Sequence, residues 1–146
     1  MEFSPNGVAF VTGAGGTVGR YTILQFARDG VRKIASLDIS EPALENTKQT
    51  VTKEFSESDF LSLVVDLNDD AQIGAAFKQV VENFGQIDFA VVNAGIGQPL
   101  KVTSELSFED FDKVLGVISL KGVWAWERLE LAQMEKQEPL PSPAKV

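Results

Sequence analysis

Three glycines recur at a regular spacing near the start of the chain, at Gly13, Gly16 and Gly19, directly after the apolar run of residues 8–11. Glycine accepts a positive φ and, without a Cβ, lets the backbone come close to a ligand. The pattern predicts a strand, a tight turn and a helix whose free N–H groups and positive dipole end can receive a pyrophosphate. An ordinary tight turn is the alternative interpretation of the same glycines.

Polar side chains also follow three later apolar runs, at Asp38, Asp66 and Asn93. A carboxylate about 20 residues past such a turn can accept both ribose hydroxyls of an adenosine, and it would repel a 2′-phosphate. Asp38 therefore favours NAD over NADP. The simpler interpretations are a solvated aspartate or helix cap at Asp38, a cap for the following helix at Asp66, and an ordinary turn at residues 93–95.

The elements that must position these residues are short apolar strands alternating with helices. Strands are predicted at residues 8–11, 33–37, 61–65 and 87–92, and the last of four helices is predicted as one long helix over residues 107–136. Such alternation predicts an α/β fold with a doubly wound parallel sheet in the strand order 3-2-1-4. All the marked residues then lie at carboxyl ends of strands, where ligands bind to such sheets.

Composition limits the classes of function. The length of 146 residues predicts one domain over residues 1–138, followed by a proline-rich tail at 139–146. A net charge of -8 argues against nucleic acid and anionic membranes as partners. The absence of cysteine and histidine removes the usual metal ligands, so no metal site is predicted. With no membrane span or signal peptide in view, we expect a soluble cytoplasmic protein.

Taken together, these motifs resemble those of the short-chain dehydrogenases/reductases. The resemblance rests on Thr-Gly-Ala-Gly-Gly-Thr-Val-Gly at residues 12–19, Asp38, Asp66-Leu67, Asn93-Ala94-Gly95, and Leu-Lys-Gly-Val at residues 120–123. It implies a Rossmann fold and an oxidoreductase-like protein that binds NAD(H), with Asp66 and Leu67 at the adenine. The candidate cofactor-binding residues are Gly13, Gly16, Thr17, Val18, Gly19, Asp38, Ile39, Asp66, Leu67, Asn93, Ala94 and Gly95.

The chain departs from the family pattern where catalysis would be expected. The family's catalytic Asn precedes the Leu-Lys-Gly-Val run, and its place is taken here by Ser119 or, counted along the preceding helix, by Ile118. The family's later Ser and its Tyr-x-x-x-Lys pair, whose Tyr transfers the proton, do not occur in these 146 residues, where Tyr21 is the only tyrosine. The resemblance therefore implies cofactor binding without a competent dehydrogenase site.

Three functions remain open at this stage. The first is an NAD(H)-binding protein that is inactive in redox chemistry on its own. The second is a non-redox enzyme, such as an isomerase or cyclase, that holds a small apolar molecule in a shortened scaffold and needs no dinucleotide. The third is an interaction module that associates with a full-length homologue. Titration with NAD and NADH separates the first from the other two.

Self-association is the remaining expectation. Residues 87–92 are apolar on both faces, and in the family such a strand pairs with a fifth strand. The long helix is expected to expose some of the following apolar side chains: Val114, Ile118, Val123, Trp124, Trp126 and Leu129. Exposed apolar patches of this kind usually mark interfaces. We therefore expect a homodimer or higher oligomer through this helix, the open strand edge, or both.

Overall fold

The computed structural model describes residues 3–4, 6–97, 99–118 and 121–140, and the side chains of residues 116–121 are outside that description. The elements along the chain are β1 (Val8–Thr12), α1 (Thr17–Arg28), β2 (Lys33–Asp38), α2 (Glu41–Glu54), β3 (Asp59–Val64), α3 (Asp70–Phe84), β4 (Phe89–Val92), a 3₁₀ turn (Thr103–Glu105), α4 (Phe108–Ile118) and α5 (Lys121–Met134).

The four strands form one parallel sheet in the order β3-β2-β1-β4. Thr12, the last residue of β1, lies opposite Leu37 of β2 on one side and Val92 of β4 on the other, so the strands end level with one another. The predicted α/β architecture and strand order are confirmed. The switch point of the sheet lies between β1 and β4, where the chain leaves the two strands in opposite directions.

Alternate side chains of β1 serve two cores because successive residues of a strand point to opposite faces. Val11 packs with Ile23 of α1 and Leu44 of α2 on one face. Phe10 packs on the other face with α3 and with Trp126 of α5, whose ring centroid lies 4.9 Å from its own. All five residues of β1 are buried, which explains why this strand reads as an unbroken apolar run.

Helix starts follow the capping signals of the sequence. The side chain of Ser40 accepts a hydrogen bond from Ala43 N at the start of α2. Asp69 caps α3 by accepting from the backbone N–H groups of Ala71 and Gln72. The alternative that Asp66 caps this helix is therefore wrong.

The prediction of a single helix over residues 107–136, and with it the count of four helices, is wrong. Its capping signal is confirmed, since Ser107 Oγ accepts from Asp110 N at 3.0 Å and Asp110 Oδ2 accepts from Ser107 N at 3.0 Å. However, α4 ends at Ile118 and α5 begins at Lys121, which gives five α-helices in the described part of the chain. Gly116 and Gly122 flank this break, and glycine costs a helix about 1 kcal/mol relative to alanine.

The strand at the edge of the sheet is shorter than predicted. β4 begins at Phe89 rather than at residue 87. The N–H of Ile87 donates to Gln137 Oε1 at 3.1 Å, and its carbonyl accepts from Gln137 Nε2 at 2.6 Å. The amide side chain of Gln137 thus takes the place of a neighbouring strand residue at this point.

None of the helices described is long and apolar enough to cross a membrane.

Candidate functional site

The glycine turn is tightly packed, and its glycines are needed for different reasons. Gly13 has φ +65°, and a Cβ there would lie 2.7 Å from Ala94 Cα, in the loop after β4. Gly19 lies under the turn, where a Cβ would come 2.2 Å from the carbonyl oxygen of Gly13. Gly13 therefore allows β1 and β4 to approach each other, and Gly19 allows α1 to start directly beneath the turn.

The start of α1 is open to an anion. Its N-cap is Gly16, no side chain accepts from its first N–H groups, and its first turn contains no acidic residue. Thr17 and Val18 are exposed. The first N–H groups of a helix have no partner within it and carry the positive end of the helix dipole. This end of α1 therefore has the chemistry of a phosphate site.

Asp38 stands beside the turn, and both of its carboxylate oxygens accept a backbone N–H. Oδ2 accepts from Gly15 N at 2.9 Å, and Oδ1 accepts from Ser40 N at 3.0 Å. These bonds fix the plane of the carboxylate and leave each oxygen a further lone pair for a ligand hydroxyl. The half-buried carboxylate is thus held ready at the end of β2.

Asn93 connects the end of β4 to the glycine turn. Its side-chain amide donates to the carbonyls of Thr12 and Gly13, both at 3.3 Å. The backbone N–H groups of Asn93 and Ala94 donate to the buried hydroxyl of Thr12, both at 3.1 Å. Within the described contacts, Asn93 therefore acts as a brace between the two strands at the switch point.

The cleft at this edge of the sheet has two adjoining parts that share Gly13, Asp38 and Gly95. The part beside β2 and β3 has a volume of about 190 Å³ and also contains the predicted residues Ile39, Asp66, Leu67 and Ala94. The part at the start of α1 has a volume of about 280 Å³ and also contains Gly16, Thr17, Val18 and Asn93. Every predicted cofactor-binding residue except Gly19 thus lines the cleft.

Sequence reasoning missed five residues that line the first part, Leu37, Val65, Asn68, Ile96 and Lys113, of which the first two are the predicted ends of strands. Asn68 directly follows the predicted pair Asp66-Leu67, and Ile96 follows the predicted residues 93–95, so extending each loop motif by one residue would have found them. Lys113 lies on α4, far along the chain, and no local pattern connects it with the strand ends. It is the one cation among the described lining residues of this part.

The side chain at the predicted catalytic position is outside the described part of the structure. Ser119 lies outside the described residues, and Ile118 is the last residue of α4, with a side chain that is also outside them. In the described part of the chain, no three His, Cys, Asp or Glu side chains are grouped so that they could hold a metal ion.

The carboxyl groups with shifted pKa values lie outside the cleft. The pKa of Asp69 is lowered, chiefly by the N–H of Gln72 in the cap of α3. The pKa of Asp110 is lowered to about 2 by the N–H of Ser107 and then by Lys101. Burial raises the pKa of Glu130 to about 7, with a smaller contribution from Glu127.

Comparison with known proteins agrees with this geometry. The family model described as short chain dehydrogenase matches residues 7–139. The chain therefore belongs to the short-chain dehydrogenase family. Levodione reductase of Leifsonia aquatica is 34% identical over 130 residues, which make up 89% of this chain and 48% of that protein.

Solved structures of the family share the fold. The crystal structure of levodione reductase matches with a TM-score of 0.83 at 32% identity, over 90% of this chain and 50% of that one. NAD⁺-bound xylitol dehydrogenase matches with a TM-score of 0.79 at 30% identity, over 88% and 48%. An alcohol dehydrogenase from Thermococcus sibiricus, complexed with 5-hydroxy-NADP, matches with a TM-score of 0.77 at 31% identity, over 87% and 52%. The chain spans about half the length of these relatives.

Proposed function

We propose that this chain binds NAD(H) in the cleft at the carboxyl ends of its strands, as the dinucleotide-binding part of an oxidoreductase. The observation that carries the proposal is the Asp38 carboxylate, held by the N–H groups of Gly15 and Ser40 next to the uncapped start of α1. A bound nicotinamide supplies the ability to accept or donate a hydride. The protein's own residues supply binding and orientation.

The proposed roles follow from the chemistry of each group. The first N–H groups of α1 receive the pyrophosphate. Asp38 accepts hydrogen bonds from the ribose hydroxyls of the adenosine half. The adenine is surrounded by Ile39, Asp66 and Leu67. Gly13 lets the turn lie close to the loop after β4, and Asn93 bonds that loop to the turn, so both keep the cleft in shape.

The proposed preference for NAD over NADP depends on Asp38 rather than on the fold. Among relatives of similar likeness, xylitol dehydrogenase was solved with NAD⁺ and the Thermococcus enzyme with 5-hydroxy-NADP, so this fold accommodates both kinds of cofactor. A fixed carboxylate repels a 2′-phosphate. It also loses one hydrogen-bond donor, because in NADP the phosphate replaces a ribose hydroxyl. The turn itself, residues 13–19, contains no basic side chain that could pair with a 2′-phosphate.

The test is to titrate the 146-residue chain with NADH and with NADPH and to monitor binding by the fluorescence of the reduced cofactor. We expect NADH to bind at least about tenfold more tightly, because a hydrogen bond to a charged group contributes about 1.5–3 kcal/mol. Asp38→Ala should reduce that difference. Asp59→Ala, at the opposite end of the neighbouring strand β3, is the matched control and should leave it unchanged. Equal affinities in the unaltered chain would refute the preference, and no binding would refute the function.

The proposal concerns binding rather than turnover. Tyr21, the only tyrosine in the 146 residues, lies on α1 and does not line either part of the cleft. The oxidoreductase role therefore rests on membership of the family.

We also propose that the chain self-associates through the outer sides of α4 and α5. Phe108 is 89% exposed, Trp124 and Leu131 are each 59% exposed, and Phe111 is exposed as well. Trp126, in contrast, is fully buried against Phe10 and takes no part. Several large apolar side chains in solvent on neighbouring helices favour an interface.

A further inference from the structure

Two side chains that do not line the cleft bind the carbonyl groups of the glycine turn. Thr47 Oγ1, on α2, donates to the carbonyl oxygen of Ala14 at 2.9 Å. Arg20 Nη2, on α1, donates to the carbonyl oxygen of Gly15 at 3.3 Å. The two side chains are also joined to each other, since Arg20 Nε donates to Thr47 Oγ1 at 3.3 Å. They form a connected clamp, here called the Arg20–Thr47 clamp.

The hydrogen bond of Thr47 differs from those of other threonines on the same helix. Thr50 and Thr52 donate to the carbonyls four residues earlier, Asn46 O at 2.7 Å and Lys48 O at 2.8 Å, as threonines in helices commonly do. Thr47 is fully buried, and its hydroxyl instead reaches a carbonyl in the turn between β1 and α1. Its bond therefore serves the turn rather than its own helix.

The N–H groups of the same two turn residues are also bonded. Ala14 N donates to Leu37 O at 3.0 Å, and Gly15 N donates to Asp38 Oδ2 at 2.9 Å. Ala14 and Gly15 thus have every backbone polar group engaged. The N–H of Gly15 lies in the same peptide plane as the carbonyl of Ala14, so Thr47, which binds that carbonyl, also fixes the N–H that orients the Asp38 carboxylate. Arg20 binds the carbonyl of Gly15, in the next peptide, and so restrains the backbone on the other side of Gly15.

We propose that Arg20 and Thr47 are positioning residues that fix the Ala14–Gly15 backbone, and through it the Asp38 carboxylate, so that the site discriminates NADH from NADPH. This inference rests on the proposed function. Without the clamp, the Ala14–Gly15 peptide can rotate and its N–H leaves Asp38. The carboxylate then turns away from the ribose. NADH loses an acceptor for its hydroxyls, whereas NADPH loses the repulsion of its 2′-phosphate.

The first test compares Thr47→Val with the unaltered chain in titrations with NADH and NADPH. Valine keeps the shape of threonine and replaces its hydroxyl with a methyl group. We expect the Kd for NADH to rise about fivefold, the effect of one ordinary hydrogen bond, while the Kd for NADPH stays within about a factor of two. Thr47→Ser should restore the original ratio. Thr52→Val, which removes a hydroxyl bonded only within α2, is the matched control and should leave the ratio unchanged.

The second test separates the clamp from a simple effect of charge. Removing a cation near the site would weaken binding of NADPH more than that of NADH, because NADPH carries the extra negative charge. The clamp predicts the opposite for Arg20→Met, namely a larger loss for NADH. Arg28→Met is the matched control, since Arg28 also reaches from α1 to α2, where it pairs with Glu54 at 3.4 Å, but it does not contact the turn.

The outcomes are distinct. A lower NADPH-to-NADH ratio of Kd values in both clamp variants, with both controls unchanged, supports the inference. A proportional rise in both Kd values, together with a lower melting temperature, means that Thr47 only stabilises the fold and overturns the inference. An unchanged NADPH-to-NADH ratio of Kd values also overturns the inference. A larger loss of affinity for NADPH than for NADH in Arg20→Met does the same. Failure of the unaltered chain to bind NADH refutes the proposed function itself.

Discussion

The two faces of the sheet differ in whether their buried polar groups have hydrogen-bond partners. On the face covered by α1 and α2, Ser36 is paired with Ser62 at 3.0 Å and the hydroxyl of Thr47 is bonded to Ala14 and Arg20. On the face covered by α5, the indole Nε1 of Trp126 and the Oε1 of Glu130 are buried and have no hydrogen-bond partner among the described residues. Buried polar groups are normally paired, so the second face departs from the rule.

Apolar side chains at the outer surface differ in number between the two pairs of helices. The helices α4 and α5 expose Phe108, Phe111, Trp124 and Leu131, whereas α1 exposes Val18 and Tyr21. The buried hydroxyls of Ser36 and Thr47 beneath α1 and α2 are paired, although Ser58 Oγ, in the loop after α2, is also buried without a partner among the described residues. The α4–α5 face retains the capacity for further contacts. Changes on the first face should therefore affect ligand binding and stability, and changes on the second should affect assembly and pH dependence.

The largest effect is expected for Gly19→Ala on the face covered by α1 and α2. Its Cβ would lie 2.2 Å from the carbonyl oxygen of Gly13 and 2.9 Å from Ala14 Cα, so the backbone of the turn must move. Overpacking of this kind costs about 1–3 kcal/mol. We expect a loss at the upper end of that range, together with loss of NADH binding, measured by chemical unfolding and by titration.

The matched control is Gly74→Ala, on α3. A Cβ there would meet no atom within 4 Å, so alanine should stabilise its helix by up to about 1 kcal/mol. A Gly19→Ala variant as stable as the unaltered chain would contradict the close packing of the turn.

What the sequence predicts well is local in origin. The glycine spacing, the strand-end Asp38 and the strand order follow from steric rules and from regular alternation, and they locate the cleft correctly. Lys113 and the Arg20–Thr47 clamp could not be predicted, because their contacts depend on how helices pack across the sheet. The apolar periodicity continues across the break between α4 and α5, so that pattern alone predicts one continuous helix, although two glycines weaken it.

The next largest effect concerns Glu130 on the α5 face. Its pKa in the folded chain is about 7, raised from 4.5 first by burial and then by Glu127. Between these two pH values the folded chain holds a proton that the unfolded chain has released, so stability falls as pH rises through this window. At about 1.36 kcal/mol per pKa unit, we expect the free energy of unfolding to be about 2 kcal/mol higher at pH 5 than at pH 8. Denaturant titrations at the two pH values measure it.

Glu130→Gln should abolish this pH dependence, because the amide does not titrate. Glu127→Gln is the comparison, and it should narrow the window only slightly since burial is the larger cause of the shift. The chain has no histidine, so no imidazole obscures the measurement. If the free energy of unfolding of Glu130→Gln still falls between pH 5 and pH 8, another group causes the effect. Glu130 would then not distinguish the two faces.

The smallest expected effect tests whether the α4–α5 face is used for self-association. Trp124 is 59% exposed, and Arg128, one turn later, lies 5.3 Å from its ring centroid. Trp124→Glu places a carboxylate where an apolar ring would be covered in a dimer, so its desolvation should weaken association at least about tenfold. Light scattering at micromolar concentration measures this change, and NADH affinity should stay within about twofold because α5 does not line the cleft.

Tyr21→Glu, at a similarly exposed aromatic residue on α1, is the matched control and should not change the oligomeric state. A monomeric unaltered chain would contradict the proposal of self-association. Equal weakening by both variants would mean that the two faces do not differ in this respect.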